Sequence, residues 1–133
     1  MTQTIPHNRL TFDEKEVEAA ASVVRSGYWA GGPQLKALED TLCGMFSVKY
    51  ASGVGSGLAA LRLSLLALGV GEGDKVYVPA YSCVALANSV LSVGGEPVPV
   101  DVIPGRWTID PDKVPQGATV IVVHTFGMPA DIE

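Results

Sequence analysis

Cysteine is scarce in this chain: Cys43 and Cys83 are the only two. They lie far apart with no Cys-x-x-Cys, which excludes a disulfide framework or a thiolate metal site. Each sits among apolar neighbours on an expected helix and reads as a reduced core thiol in a cytoplasmic protein. Histidine is equally rare, and His7 and His124 cannot by themselves make a metal site. Long apolar runs are missing too. Arg62 interrupts the best candidate before it reaches the ~18 residues a membrane span needs, so no membrane association is expected. Met1 to Asn8 lacks the basic start and apolar stretch of a signal peptide. No three of the nine basic residues fall in a row and the net charge is −5, which argues against a nucleic-acid surface. Charged residues are only 17% of the chain against 47% hydrophobic, so disorder is excluded. Phosphate signatures of the commonest kinds are also absent. No Gly-Lys-Ser/Thr occurs, and Leu58 stands where the third glycine of a Gly-x-Gly-x-x-Gly fingerprint would follow Gly53 and Gly55.

What is present, in 133 residues, is enough for one domain with a core of its own. Thr11-Phe12-Asp13-Glu14 has capping-box form, and Val17, Ala20, Ala21 and Val24 then recur at helical spacing until Ser26-Gly27. Tyr28-Trp29-Ala30-Gly31-Gly32-Pro33 is a loop carrying two adjacent large aromatics, which either plug the base of the domain or line a pocket. Pro33 opens a second helix whose buried stripe is predicted to be Leu35, Leu38, Leu42 and Met45, with Lys36, Glu39, Asp40 and Lys49 left to water.

Tyr50-Ala51-Ser52-Gly53-Val54-Gly55-Ser56-Gly57-Leu58-Ala59-Ala60-Leu61 reads as a short strand, a Gly/Ser-rich turn and a helix start. Such a start leaves backbone N–H groups unpaired at the positive end of the helix dipole, where glycine permits close approach of a phosphate. Beyond a glycine-rich turn at 69–74, Lys75-Val76-Tyr77-Val78-Pro79 is a strand. Ser82 is the expected cap of a helix from Cys83 to about Val93, stopped by Gly94-Gly95. Pro97-Val98-Pro99-Val100 is extended, its prolines suited to a strand end or edge. A loop follows, Ile103 to Trp107, and Asp110 to Lys113 starts at most one helical turn. Thr119 to His124 is predicted to be a buried strand, and the Gly127-to-Asp131 turn leads toward a further helix.

Strands and helices alternate at the βαβ period. The fold class is therefore α/β, a mostly parallel or mixed sheet with helices on both faces. In such sheets ligands gather in loops at one end of the strands, and the Ser56 turn, the Pro79-to-Ser82 loop and the His124-to-Asp131 loop would lie there.

The order of motifs resembles the N-terminal part of the DegT/StrS-type nucleotide-sugar aminotransferases, within the fold-type I pyridoxal-phosphate enzymes. The pieces that carry the resemblance are Ser26-Gly27-Tyr28 with Gly32-Pro33, Glu39, Ser56-Gly57-Leu58-Ala59-Ala60-Leu61, Gly71-Glu72-Gly73-Asp74-Lys75-Val76, Pro79-Ala80-Tyr81-Ser82, Ala87-Asn88-Ser89-Val90, Pro97-Val98-Pro99-Val100-Asp101, and His124-Thr125-Phe126-Gly127-Met128-Pro129-Ala130-Asp131. Together they cover nearly the whole chain. The resemblance implies the large domain of an aspartate-aminotransferase-like fold, with N-terminal helices over 1–48 and a cofactor-side βαβ portion over 49–133. It implies pyridoxal 5'-phosphate as cofactor, its phosphate held by Ser56, Gly57 and the Leu58 backbone and its ring passed by the loop that carries Cys83. Tyr28, Trp29 and Gly31 would face the sugar-nucleotide side, and a homodimer is implied. His124 and the loop beyond it are expected to be structural.

Three residues depart from the family pattern. Leu58 replaces a common threonine, Cys83 replaces an aromatic ring that stacks on the pyridine, and Ala30 replaces a threonine in the first loop. Tyr81 is the candidate substitute for the missing ring. The Schiff-base lysine and the acidic partner of the pyridinium lie, in the family, later than this sequence extends, and Lys15, Lys36, Lys49, Lys75 and Lys113 match no catalytic position. No catalytic residue is assigned. The chain reads as the N-terminal portion of an enzyme that moves an amino group from an amino acid, glutamate being the expected donor, to a nucleotide-linked keto-sugar, inactive alone. The alternative is a truncated homologue acting as a binding or assembly module.

Overall fold

A computed structural model describes residues 5–6 and 8–132; His7 and Glu133 lie outside them. The chain divides into two compact units, Met1–Gly53 and Val54–Glu133.

The first unit holds α1 (Glu14–Ser26) and α2 (Pro33–Phe46). The cap of α1 is Asp13 rather than Thr11. Its side chain accepts from the Lys15 N–H at 2.7 Å while Glu16 reaches back to the Asp13 N–H at 2.7 Å. Both Thr11 and Asp13 have a glutamate three residues on, and the pair that starts two residues later is the one that forms. Gly27, at φ 77°, ends α1 in the left-handed conformation that glycine adopts without strain. Pro33 occupies the first turn of α2, where its missing N–H costs nothing.

The stripe predicted for α2 is not buried. Leu38 is 53% exposed and Met45 70%, with Leu35 and Leu42 only half-buried. A two-helix unit offers each stripe too little apolar surface to be covered. Glu39 departs in the other direction: half-buried, it accepts the Gly53 N–H at 2.9 Å. No strand forms at Tyr50 to Ser52, which is extended without a ladder partner among the described residues.

The second unit is α/β. Its order is α3 (Gly57–Ala67), β1 (Lys75–Pro79), α4 (Ala85–Leu91), β2 (Glu96–Val100) and β3 (Thr119–Val120). Among the described residues the strands form one parallel sheet in the order β2-β1-β3. Val76 and Val78 of β1 meet Leu65, Val70, Val90 and Ile121, with Leu61, Leu86 and Val93 packed around them. Each such side chain withdrawn from water contributes roughly 1.5–3 kcal/mol, so this cluster is what holds α3 and α4 to the sheet.

β2 is an edge strand, as its prolines suggest. The Glu96 N–H donates to Asp74 O, so alternate N–H groups of β2 face the interior of the sheet. Pro97 and Pro99 fall at the outward-facing positions between them and leave that edge without donors. β3 is shorter and more open than its β-branched run suggests: it pairs only with β1, Val120 is 36% exposed, and Ile121 alone of the run is fully buried. A strand covered on one side cannot bury every residue.

Ser82 does not cap α4. Its hydroxyl donates to Pro79 O at 2.8 Å, closing a turn, and the helix begins three residues later with no side-chain cap. Cys83 consequently lies in a loop and is exposed, while Cys43 on α2 is half-buried, so neither is a core thiol. The 101–113 segment closes on itself through a Val102–Ile109 bridge, and Lys113 reaches Asp110 at 3.4 Å and Asp101 at 3.5 Å.

Candidate functional site

The chain moves from β1 to β2 on one side and then returns to the other side of β1 for β3. That reversal makes β1/β3 a topological switch point, and in parallel sheets the crevice beyond the carboxyl ends at such a point takes the ligand. A cleft of about 570 Å³ lies there, lined by Ala80 to Cys83 after β1 and Val123 to Phe126 after β3. Its size suits a small organic ligand, for which ~300–1,000 Å³ is usual.

The wall of this cleft is aromatic. The Tyr81 ring lies 4.9 Å from that of Trp107 and 6.3 Å from that of Phe126. Trp107 and Phe126 adopt φ of 57° and 54°, a left-handed conformation costing on the order of 1–3 kcal/mol in a non-glycine residue. The threonine beside each, Thr108 and Thr125, carries a buried hydroxyl that makes no hydrogen bond within the protein. His124 stands at the same rim and accepts the Ala130 N–H on Nδ1 at 3.0 Å. In a neutral ring that leaves its proton on Nε2, and the bond ties the loop after β3.

Ser56 caps α3, its Oγ accepting from the Ala59 N–H at 3.1 Å. Gly57 and Leu58 follow as the first two helical residues, whose N–H groups have no intrahelical acceptor. A Cβ added at Gly57 would meet nothing within 4 Å, so the helix start is open to close approach. Ser56, Gly57 and Leu58 do not line the aromatic cleft; Cys83 does. Tyr28 and Gly31 belong to a separate cleft of about 180 Å³ in the first unit, with Ser22, Val23, Ser26, Pro33 and Gln34. Trp29 is 78% exposed, its indole N–H donating to Val24 O at 3.0 Å.

None of the lysines lines the aromatic cleft. Lys75 begins β1, at the far end of the strand and so roughly 13 Å from its cleft end. Lys113 and Lys36 are engaged with carboxylates, and Lys49 lies 5.0 Å over the Tyr50 ring. Phe126 reaches the cleft from the His124-to-Asp131 loop expected at this end of the sheet, whereas the contact of Trp107 with Tyr81 depends on a loop conformation that no local pattern encodes. The adjacency of Trp107 to Ile103-Pro104-Gly105 signals the loop but not its conformation.

A small parallel sheet with a cleft at its switch point and a glycine-fronted helix start define an α/β protein. Residues 11–133 match the DegT/DnrJ/EryC1/StrS aminotransferase family, and the chain belongs to it. DesV of S. venezuelae, solved in complex with a ketimine intermediate, is 37% identical over 89% of this chain and 33% of its own, with a TM-score of 0.79. NtdA of Bacillus subtilis, with bound PMP, is 35% identical over 89% of this chain and 28% of its own, at 0.81. Spr1654 of Streptococcus pneumoniae, a proposed sugar aminotransferase solved in a PMP form, is 30% identical over 97% of this chain and 34% of its own, at 0.88. The chain thus spans about a third of the length of the relatives it matches.

Among the described residues no helix is long and apolar enough to cross a membrane.

Proposed function

We propose that this chain is the cofactor-side, N-terminal portion of a pyridoxal-phosphate aminotransferase that moves an amino group from an amino acid, glutamate being the expected donor, to a nucleotide-linked keto-sugar. The observation that carries this is the open start of α3, Ser56-Gly57-Leu58, in the same unit as a cleft at the β1/β3 switch point. The residues fit the group: two free backbone N–H groups and a serine hydroxyl at a helix N-terminus suit a phosphate, and an aromatic-walled cleft suits a planar ring.

When bound, pyridoxal phosphate supplies the aldehyde that exchanges the amino group and the electron-poor ring that stabilises negative charge at the reacting carbon. The chain's own part is to bind and orient. Ser56, Gly57 and Leu58 hold the phosphate. Cys83 flanks the ring with a thiol, which offers less contact than the aromatic side chain relatives place there. Tyr28, Trp29 and Gly31 contribute to the nucleotide-sugar contacts of a cytoplasmic homodimer. His124 fixes the loop over the cleft through Ala130.

With no lysine at the cleft, the chain by itself does not transaminate. That same placement favours a second reading, a truncated homologue that binds the cofactor or a partner without catalysis. Intact mass and absorbance after adding pyridoxal phosphate, with and without borohydride, test the proposal. Saturable binding that perturbs the Gly57 and Leu58 amide resonances is expected, with no stoichiometric adduct at one lysine. A single reduced adduct at Lys15, Lys36, Lys49, Lys75 or Lys113 would overturn the inactive-alone reading. Unperturbed amides at Gly57 and Leu58 would overturn the cofactor assignment.

A further inference from the structure

We infer that Tyr81, braced by Trp107 and Phe126, supplies the face on which the cofactor's pyridine ring stacks, in place of any side chain at position 83. The inference rests on the pyridoxal-phosphate reading above and adds the residues that hold the ring. Three observations converge on it.

Cys83 lines the cleft but brings only a thiol, and the carbocyclic aromatic rings of the lining are those of Tyr81 and Phe126. Tyr81 lies two residues earlier in the same loop and is 47% exposed, so part of its ring is open to a ligand while the rest is packed. What packs it is unusual. Trp107 and Phe126 come from loops distant in sequence, and both hold left-handed backbone that glycine would adopt more readily. Each also adjoins a threonine whose buried hydroxyl is unpaired within the protein. Two independent loops thus carry the same pair of local strains at the residues that touch one ring. Strain that clusters in this way marks a place where geometry is kept for binding.

The contacts are tilted, at 45° for Trp107 and 52° for Phe126, so they buttress Tyr81 without sandwiching it. A planar heteroaromatic ring entering the cleft meets Tyr81 beside Phe126, in offset or tilted contact of the kind aromatic pairs favour. Trp107 lies outside the cleft lining with its ring 4.9 Å from that of Tyr81, close enough to report on occupancy.

The probe is pyridoxine 5'-phosphate, which keeps the ring and phosphate but lacks the aldehyde that would label surface lysines. It is titrated into the purified chain carrying Trp29→Phe, so that Trp107 is the sole tryptophan and is excited selectively at the red edge of the band. Saturable quenching of Trp107 is expected, together with shifts of the Gly57 and Leu58 amides. Tyr81→Leu should weaken binding roughly fivefold or more, the scale of a lost aromatic pair. Tyr81→Phe should bind as the parent does, and Cys83→Phe added to Tyr81→Leu should restore affinity. If Tyr81→Leu leaves affinity unchanged while the Gly57 and Leu58 amides still shift, the stacking assignment is overturned and the cofactor reading stands. If neither the amides nor Trp107 responds, both fall. Tighter binding of uridine monophosphate than of pyridoxine phosphate, with loss on Tyr81→Leu, would give the wall to a nucleobase and overturn the pyridine assignment.

Discussion

Gly95 shows how closely one position can be set by its surroundings. It lies where the chain leaves α4 for β2, and a Cβ there would stand 2.9 Å from Val90 Cγ1 and 3.2 Å from the Asp74 carbonyl oxygen. One of those neighbours is core and the other accepts the Glu96 N–H, so neither can yield cheaply. Gly95→Ala is expected to destabilise the second unit by about 1–3 kcal/mol, the usual range for overpacking. The check is a lower urea midpoint with an unchanged slope. Lys113 gives the opposite kind of case. Its hydrogen bond to Asp110 holds the ammonium above its ordinary pKa of 10.5, outweighing desolvation, with the charge of Asp101 adding. A raised pKa contributes in the protonated form, so the tether of the 101–113 loop persists below pH 10.5 and is lost as pH climbs past the raised value. The side-chain methyl resonances of Val102 and Ile109, which do not exchange with solvent, should shift across that alkaline window and hold steady near neutrality.

At the scale of elements, the start of α1 separates two readings of one sequence pattern. Asp13→Ala is expected to cost the helix about 1 kcal/mol, the usual loss of an N-cap, whereas Thr11→Ala should leave its far-UV dichroism unchanged. Helix punctuation was the most legible feature of the chain: Pro33 at the start of α2, Ser56 before α3 and Gly27 after α1 stand where their local chemistry puts them. Such signals act within one turn and need no tertiary partner. Strand extent was not legible in the same way. The run from Thr119 to His124 has the composition of a covered strand, yet pairing decides its length, and among the described residues it pairs with β1 alone. Ser82 misled for a related reason, since its hydroxyl finds the Pro79 carbonyl before any helical N–H. Near the candidate site, the open start of α3 at Ser56 to Leu58 could be read from the residues, because a helix start is set by local chemistry. The aromatic wall could not. It joins positions 81, 107 and 126 through loop conformations that no local pattern encodes.

For the whole molecule, the quantity that matters is how much apolar surface stays in water. On α2 alone, Leu38, Met45 and Phe46 are exposed, and Tyr28, Trp29, Tyr50 and Phe126 add large rings elsewhere. Exposure of this kind favours association. Sedimentation velocity is expected to show species larger than the monomer growing with concentration, and Leu38→Glu with Met45→Lys should suppress them; a monomer at all concentrations in the parent chain would contradict this. The two margins of the sheet are also unequal. Pro97 and Pro99 deny donors to any strand approaching β2, while the outer side of β3 keeps its peptide groups. Any strand that joins this sheet, from whatever source, must therefore dock beside β3. Among the described residues growth of the sheet is thus favoured in one direction, beside the strand whose following loop lines the cleft.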